Sequence, residues 1–469
     1  MALIMAIHPK IKLFPLKYNH CGGFRRNFVI FLIILPILLD LIYIKFYGVN
    51  VPFWDEWAFV PIIDKFYNND LSFNDLFAQN NEHREFFARI IMLIAMYFTH
   101  YNTVAEMYIS CSIASLTLLL LFIIYKQRFG LSLTSLIGFI PVSWLLFDFR
   151  QFENILMGWT IHIYLAVFGL ILAIFSLKNT KKIDRMFILA ILGGIISSFS
   201  FLTGLVIWPL GFLLIIASKT NKILLGALWS LTGIVISYLY FHNWVKPGTP
   251  SILYSIENPL NSIAYMFIYI GSFFGMHIHN DIQIGGATIP GAQLLFIFIL
   301  APFVMGILIV SATIISIILV IKNNLLEDIS EWIALIAFSF ASAIITTIGR
   351  AGFGFEQALA SRYVTLSLLA IIGLYLIALK LTNIKDKNYK IFYKIILFFI
   401  VLGFVFGYVA GTLAGEKISE SRKEMAFNVL HFTNASDESL KYIYRDPRVI
   451  RDRAIILEKY RLNVFYNNS

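Results

Sequence analysis

Residues 28–47 read FVIFLIILPILLDLIYIKFY, and this run decides the class of protein. It carries only two charged side chains, Asp40 and Lys45. A transmembrane helix needs about 20 mostly apolar residues to cross the hydrocarbon core, and this run meets that requirement. The segment before it is basic, with Lys10, Lys12, Lys17, Arg25 and Arg26. No small-residue cleavage site follows, so we predict an uncleaved signal-anchor with a cytoplasmic N-terminus.

Similar apolar runs recur along the chain. Of its 469 residues 59% are hydrophobic and 14% are charged, whereas soluble domains are about 25% charged. The runs are continuous rather than alternating, which excludes an outer-membrane barrel. We predict an all-α polytopic membrane protein. The net charge of +10 fits basic loops that orient the spans, so we predict no nucleic-acid partner.

Length and hydropathy define the remaining spans. Besides 28–47, the candidates are 104–125, 131–149, 157–177, 186–202, 203–217, 223–242, 291–321, 331–348, 362–380 and 391–411. Two shorter apolar pieces, 86–99 and 259–276, are ambiguous by length alone.

The distribution of lysine and arginine decides the two ambiguous pieces. If neither crosses, the basic cluster from Lys178 to Arg185 stays inside; if both cross, it moves outside, against the positive-inside rule. We therefore predict about eleven spans in a transmembrane domain, 1–411. The first loop, 48–103, would then face outward with an interfacial helix, and 259–290 would be re-entrant. The C-terminal tail, 412–469, would be periplasmic and would form short helices.

The strongest chemical candidate follows the first span directly. In the stretch Phe53–Trp57 two carboxylates, Asp55 and Glu56, stand between tryptophans. Acids at the membrane boundary are costly unless they have a partner or a role. Either acid suits a general base or a divalent-metal ligand, and both roles stay open. A solvated loop acid or a helix cap is an equally weighted alternative.

Several other polar groups predict a phosphate-binding or substrate-binding site on the same face. They are His83, Arg84, Arg150, Glu153, Asn154, Arg350, Arg362 and Tyr363. Arginine suits bidentate contact with phosphate. Each also has a structural alternative, namely surface ion pairs, helix-end capping or snorkelling to the interface.

Two further features are weaker. His277, His279 and Asp281 have metal-ligand chemistry, although a histidine pair in a loop more often has a structural or substrate-contact role. Asp40 lies within the first span, where an ionisable residue indicates function unless it reaches water. No P-loop, GxGxxG or HExxH motif occurs, which argues against ATP-driven transport and a Rossmann nucleotide-sugar site.

Taken together, these stretches resemble polytopic glycosyltransferases of the GT-C superfamily. More narrowly, they resemble the O-antigen glucosyltransferases of serotype-converting phages and their bacterial relatives. The resemblance rests on short stretches spread over most of the chain. They are Phe53–Trp57, Asn81–Arg84, Gln151-x-Glu153-Asn154 with Gly158, Gly204 with Trp208-Pro209, Ser361-Arg362-Tyr363, and Glu458 to Phe465.

The resemblance implies an enzyme of the bacterial inner membrane with a GT-C-like fold. Such enzymes take a hexose, glucose in the narrower family, from undecaprenyl phosphate and transfer it to O-antigen or another polysaccharide. It implies a central carboxylate in the first loop, here Asp55 before Glu56. The lipid bilayer, the lipid-linked donor, the acceptor, a donor-synthesising glycosyltransferase and a flippase would be its partners. The first loop and tail are modest in size here, with no large soluble lobe.

Other functions compete with this interpretation. A polymerase or ligase for lipid-linked oligosaccharides would also use loop arginines, and a flippase would place charges within the spans. A membrane acyltransferase would need a catalytic histidine beside an acid, for which His83 with Glu82 and Glu85 is the candidate.

Overall fold

The computed structural model describes residues 20–218, 222–248, 250–276, 282–284, 287–289, 291–384 and 386–466. His277, His279 and Asp281, the candidate metal ligands of the predicted re-entrant segment, lie outside the described residues.

The first part of the chain contains one long helix, a loop region with short elements, and three further long helical segments. The elements are α1 (His20–Tyr47), α2 (Val60–Tyr67), α3 (Phe73–Phe77), β1 (Gln79–Asn80), β2 (His83–Arg84), α4 (Phe86–Thr99), α5 (Thr103–Phe129), α6 (Leu133–Leu146), α7 (Phe152–Ile155) and α8 (Ile161–Asn179). Single 3-10 turns lie at Trp54–Phe59, Phe149–Gln151 and Gly158–Thr160.

The second part of the chain also combines long helices with short helices and a short hairpin. Its elements are α9 (Arg185–Ser198), α10 (Ile207–Ala217), α11 (Lys222–Phe241), α12 (Tyr254–Glu257), α13 (Pro259–Ile270), β3 (Ile282–Ile284), β4 (Ala287–Ile289), α14 (Gly291–Lys322), α15 (Leu326–Arg350), α16 (Phe355–Ala358), α17 (Ser361–Leu381), α18 (Lys387–Leu430), α19 (Asp437–Lys441) and α20 (Pro447–Lys459). Further 3-10 turns lie at Leu202–Val206, Ser272–Phe274, Ala351–Phe353 and Asn463–Phe465.

The predicted class, an all-α polytopic membrane protein, is confirmed. Within the described residues, nine helical segments are long and apolar enough to cross a membrane. They are Gly23–Tyr47, Thr103–Phe129, Leu133–Ile155, Gly158–Asn179, Lys222–Phe241, Ile299–Lys322, Leu326–Phe353, Ser361–Leu381 and Lys387–Leu430. Each overlaps one of the predicted spans. The two antiparallel strand pairs, β1–β2 and β3–β4, are short hairpins.

Two of the eleven predicted spans are shorter than the nine. The predicted span 186–202 is helix α9, of 14 residues, and 203–217 is helix α10, of 11 residues. At 1.5 Å per residue, α9 extends about 21 Å, less than the hydrocarbon thickness of about 30 Å. The count of eleven crossings therefore stays a prediction. The two apolar pieces that were ambiguous by length, 86–99 and 259–276, correspond to α4 and α13, which are also short helices, of 14 and 12 residues.

The centre of the bundle is formed by α8 and α17, which are almost entirely buried. Helix α9 packs closely along α8 because glycines face each other at the crossing. A Cβ atom added at Gly169 would lie 2.6 Å from the carbonyl oxygen of Gly193, and one at Gly193 would lie 2.7 Å from that of Gly169. Small residues at such crossings let two helix backbones approach directly in a membrane protein.

The last long helix is longer than predicted. We predicted a span over 391–411 followed by a tail from 412, whereas α18 continues without a break to Leu430, 44 residues in all. Residues 416–430 contain neither glycine nor proline and are rich in strong helix formers, which explains the continuation. The short helices predicted in the tail are present as α19 and α20.

The C-terminal tail docks on the first loop. The side-chain amide of Asn463 donates to Oδ1 of Asn50 at 2.7 Å and to the carbonyl of Tyr101 at 2.8 Å. The same Oδ1 of Asn50 accepts from the backbone N–H of Thr103 at 2.9 Å. Both ends of the first loop and the tail therefore meet at Asn463. Nearby, the Tyr460 ring stacks on Tyr67 with centroids 4.4 Å apart.

We expect Asn463→Ala to destabilise the protein by about 1–3 kcal/mol, because the buried carbonyl of Tyr101 and the partly buried Oδ1 of Asn50 each lose one donor. The backbone of Asn463 also has φ of +54°, which asparagine tolerates better than alanine. Thermal unfolding of the purified protein in detergent measures the effect.

Asn434→Ala provides the matched control, since Asn434 is exposed on the same tail. Equal melting temperatures for Asn463→Ala and Asn434→Ala would contradict the proposed docking of the tail.

Candidate active site

The carboxylate Asp55 lies in the 3-10 turn Trp54–Phe59 at the start of the first loop. Its Oδ2 accepts a hydrogen bond from Nδ2 of Asn81 at 3.2 Å, and its side chain stays partly exposed. Burial raises the pKa of Asp55 above its usual range, although Arg362, Asn81 and Arg350 offset part of the effect. A partly exposed carboxylate with an elevated pKa is suited to accept a proton.

The neighbouring carboxylate, Glu56, is buried and fully engaged. Only 1% of Glu56 is exposed. Its Oε2 accepts from the backbone N–H of Phe53 at 2.7 Å, and its Oε1 accepts from that of Trp159 at 3.1 Å. Glu56 thus joins the first loop to the turn at 158–160. Its bond to Phe53 also caps the 3-10 turn Trp54–Phe59, which is the structural alternative named for this acid.

Gly158 is needed where Glu56 meets this turn. A Cβ atom there would lie 3.1 Å from Oε1 of Glu56 and 2.3 Å from Oε2 of Glu106. Any larger residue would displace one of these two carboxylates.

The β1–β2 hairpin connects Asp55 to a distant arginine. Its turn contains Asn81, which contacts Asp55, and Glu82. One terminal nitrogen of Arg350 donates to both carboxylate oxygens of Glu82, at 2.6 and 2.7 Å. Burial opposes ionisation of Glu82, but the attraction of His83 and Arg350 outweighs it and lowers the pKa of Glu82.

Arg362 is the second cation of the site. It lies in the first turn of α17, and 44% of its side chain is exposed. Its guanidinium is 3.8 Å from Oε2 of Glu153. Arg350, at the end of α15, and Arg362 both act electrostatically on Asp55. The structure therefore brings an acid of the first loop near two arginines that lie about 300 residues further along the chain.

Glu153, Asn154 and Tyr363 support the first turn of α17. Oε2 of Glu153 accepts from the backbone N–H of Arg362 at 2.8 Å. Nδ2 of Asn154 donates to the carbonyl of Arg362 at 3.0 Å and to the Thr365 hydroxyl at 2.7 Å. The Tyr363 ring is 5.2 Å from that of Tyr269, and its hydroxyl accepts from Gln357 at 3.3 Å. These contacts fix the position of Arg362.

Arg84 and Arg150 do not join the cluster around Asp55. The guanidinium of Arg84 donates to the carbonyls of Phe77, Tyr240 and His242. That of Arg150 donates to the carbonyls of Gly275 and Leu359. Both are buried. These arginines satisfy buried backbone carbonyls, because irregular backbone at this depth needs internal donors. Their phosphate-binding role stays a prediction.

His83 is held in a fixed orientation. Its Nδ1 accepts from the backbone N–H of Leu202 at 3.2 Å, and its ring stacks on Phe201 with centroids 4.0 Å apart. Burial lowers the pKa of His83 to about 4, so the ring is neutral at pH 7. Because Nδ1 is occupied as an acceptor, Nε2 carries the proton. This arrangement gives no support to His83 as the base of an acyltransferase.

Two further side chains lie behind the site; sequence reasoning missed Arg422 and named Glu85 only as a neighbour of His83. Arg422, on α18, places its guanidinium 4.9 Å from the Phe53 ring centre and donates to the carbonyl of Leu156. Glu85 is buried, and its Oε1 accepts from the Trp159 indole at 3.2 Å. Glu85 directly follows the quoted stretch Asn81–Arg84, whereas no pattern in the tail distinguishes Arg422 from its neighbours.

Within the part of the chain that the structure describes, there is no evident site for a metal ion. Among the described residues, no group of three or more histidine, cysteine, aspartate or glutamate side chains is arranged to hold one. We therefore assign no metal ligands.

We expect Glu85 to make stability depend on pH. Burial raises the pKa of Glu85 to about 8, against the opposing effect of Arg89. A folded-state pKa above the unfolded value of about 4.3 means that stability is lost as pH rises towards about 8. Between pH 6.5 and 8 we expect the free energy of unfolding of wild type to fall by on the order of 1–2 kcal/mol relative to that of Glu85→Gln.

Melting temperatures of both proteins across this window measure the difference. Both proteins contain the same histidines, so the titration of His83 and the others, with an ordinary pKa of about 6.5, cancels in the difference between them. Parallel curves for wild type and Glu85→Gln would show that Glu85 does not hold a proton in the folded state.

Comparison of the chain with protein-family models, with curated proteins and with solved structures finds no match.

Proposed function

We propose that this protein is a polytopic glycosyltransferase that moves a hexose from undecaprenyl phosphate to a surface polysaccharide on the periplasmic side of the inner membrane. One observation carries the proposal. The partly exposed carboxylate of Asp55 lies at the end of a multi-span helical bundle, within the electrostatic reach of Arg350 and Arg362. A base beside two cations is what attack on a lipid-phosphate sugar requires.

In the proposed reaction Asp55 takes the proton from an acceptor hydroxyl as its oxygen attacks the anomeric carbon of the donor. The bond between that carbon and the phosphate oxygen breaks, and the prenyl phosphate leaves with the electron pair. A single displacement inverts the anomeric centre. The guanidinium groups of Arg362 and Arg350 stabilise the charge on the leaving phosphate.

The contacts divide the two acids of the first loop between different roles. Glu56 has an N–H donor on each carboxylate oxygen and is closed to solvent. Asp55 has one side-chain donor and is partly open. We therefore assign the base to Asp55 and a positioning role to Glu56. Arg84, Arg150 and Asn154 likewise position the backbone of the site.

Buried acids within the spans favour a second candidate, a flippase for lipid-linked sugar. Asp40 and Glu106 are buried, and among the described residues Oδ1 of Asp40 and both oxygens of Glu106 have no hydrogen-bond partner. Intramembrane acids often form proton or substrate pathways. A polymerase or ligase would instead join whole lipid-linked oligosaccharides. The assay below separates these activities.

We expect Asp55→Asn to lower transfer about 100- to 10,000-fold, the usual contribution of a general base. The assay uses protein in liposomes with radiolabelled undecaprenyl-phosphate glucose and delipidated O-antigen polysaccharide, and counts label in the polysaccharide. Asp70→Asn is the matched control, since Asp70 is an exposed acid on the same loop.

Full transfer by a folded Asp55→Asn protein would remove Asp55 from the base role. Label that crosses the bilayer without reaching polysaccharide would favour the flippase, and joined oligosaccharide units would favour the polymerase or ligase.

We expect Arg362→Met to lower the turnover rate about 100- to 1,000-fold, as loss of one donor to developing charge does in other enzymes. Arg362→Lys keeps the charge and should restore part of the rate. The same liposome assay measures both.

Arg448→Met is the control, because Arg448 is an exposed arginine of the tail. Equal rates for Arg362→Met and Arg448→Met would show that Arg362 does not act on the leaving group.

A further inference from the structure

Trp54 is the exposed aromatic side chain next to Asp55. All eight tryptophans of the chain lie in the described residues, and Trp54, 47% exposed, is the only one that is largely open to its surroundings. Its ring makes one aromatic contact, an edge contact with Phe53 at 5.9 Å between centroids. Packing of the fold therefore does not explain why tryptophan is present here.

The backbone of Trp54 is strained. Its φ is +49°, in the left-handed region that bulky residues rarely adopt. Such strain persists only where the surroundings enforce it, and it is concentrated at active sites and ligand clamps. Two contacts that fix the preceding residue, Phe53, supply the constraint. Glu56 accepts from the N–H of Phe53, and Arg422 covers the Phe53 ring.

The exposed indole suits a sugar ring. The C–H face of a pyranose is apolar and stacks on an aromatic face, while the indole N–H donates to hydroxyl groups. The groups assigned to the donor phosphate, Arg350 and Arg362, contact the rings of Phe353 and Tyr363 rather than that of Trp54. The base of the proposed reaction must contact the acceptor hydroxyl, and Trp54 precedes that base directly.

We propose that Trp54 is the stacking platform of the acceptor subsite, on which a pyranose ring of the polysaccharide lies while one of its hydroxyls reaches Asp55. This inference rests on the proposed transferase function and adds the residue that selects the acceptor. Tryptophan at a membrane surface also anchors proteins in the lipid headgroup region. The test must therefore distinguish sugar binding from membrane anchoring.

Three variants separate the acceptor platform from a structural or anchoring role. Trp54→Ala removes the ring, Trp54→Phe keeps an aromatic face, and Trp54→Gly also relieves the left-handed strain. Tyr442→Ala is the control, since Tyr442 is an exposed aromatic residue far along the tail. In the liposome assay, acceptor and donor are varied separately for each protein.

We expect Trp54→Ala to raise the KM for polysaccharide about fivefold to tenfold, the scale of one aromatic stacking contact, with the KM for lipid-linked glucose unchanged. Trp54→Phe should fall between wild type and Trp54→Ala. Trp54→Gly should raise the acceptor KM while its melting temperature stays equal to or above that of wild type. If Trp54 were purely structural, the acceptor KM and the melting temperature would worsen together.

Unchanged KM values for both substrates in Trp54→Ala, with an active wild type, would overturn the platform and leave the transferase proposal standing. A rise confined to the donor KM would also overturn it. If wild type transfers no sugar, the transferase proposal fails instead.

A binding measurement then tests the role of Trp54 independently of turnover. Delipidated O-antigen polysaccharide should shift the tryptophan fluorescence of wild type and of Asp55→Asn but not of Trp54→Phe, because the other seven tryptophans are less exposed. An equal shift in Trp54→Phe, or no shift in any protein, would overturn the platform.

Discussion

Non-helical backbone at the end of a membrane-embedded bundle must find its hydrogen bonds inside the protein, and this requirement organises the whole site. Within the described chain, four buried arginines donate to main-chain carbonyls. They are Arg84, Arg89, Arg150 and Arg422. Each ties a loop segment to another part of the chain. An unsatisfied carbonyl in apolar surroundings costs several kcal/mol, so these arginines make the irregular loops compatible with burial.

The same constraint determines which charges are left for chemistry. Glu56 is used to hold the turns at 53–57 and 158–160 together. Arg350 and Arg362 keep part of their surface open, and so does Asp55. One carboxylate and two guanidinium groups therefore stand at the end of the bundle, held in place by a surrounding set of backbone contacts. In the proposed reaction, this preorganisation would stabilise the charge on the departing phosphate.

Much of the architecture could be predicted because its cause is local. A continuous apolar run of about 20 residues specifies a spanning helix whatever surrounds it, and each of the nine long helical segments contains such a run. The lengths of α9 and α10 were predicted less well, because the apolar residues around Phe201 to Gly204 continue through a break that forms a 3-10 turn. Helix α18 exceeds its apolar core because helix propensity continues after hydropathy falls.

The site could be predicted only in part, because the roles of identical residue types depend on distant contacts. Arg84 and Arg362 are both arginines of the predicted phosphate-binding set, yet one donates to three carbonyls and the other keeps 44% of its side chain exposed. Arg422 gave no signal at all, since its partners, Phe53 and Leu156, lie hundreds of residues away. Only the folded chain separates structural from chemical charges.

The most direct test of this account is an experimental structure of the protein with undecaprenyl-phosphate glucose bound. The account predicts the donor phosphate within hydrogen-bond distance of the Arg362 guanidinium, with Arg350 beside it and the anomeric carbon facing Asp55. A donor whose phosphate is bound elsewhere, or whose sugar lies on the far side of the bundle from Asp55, would contradict it.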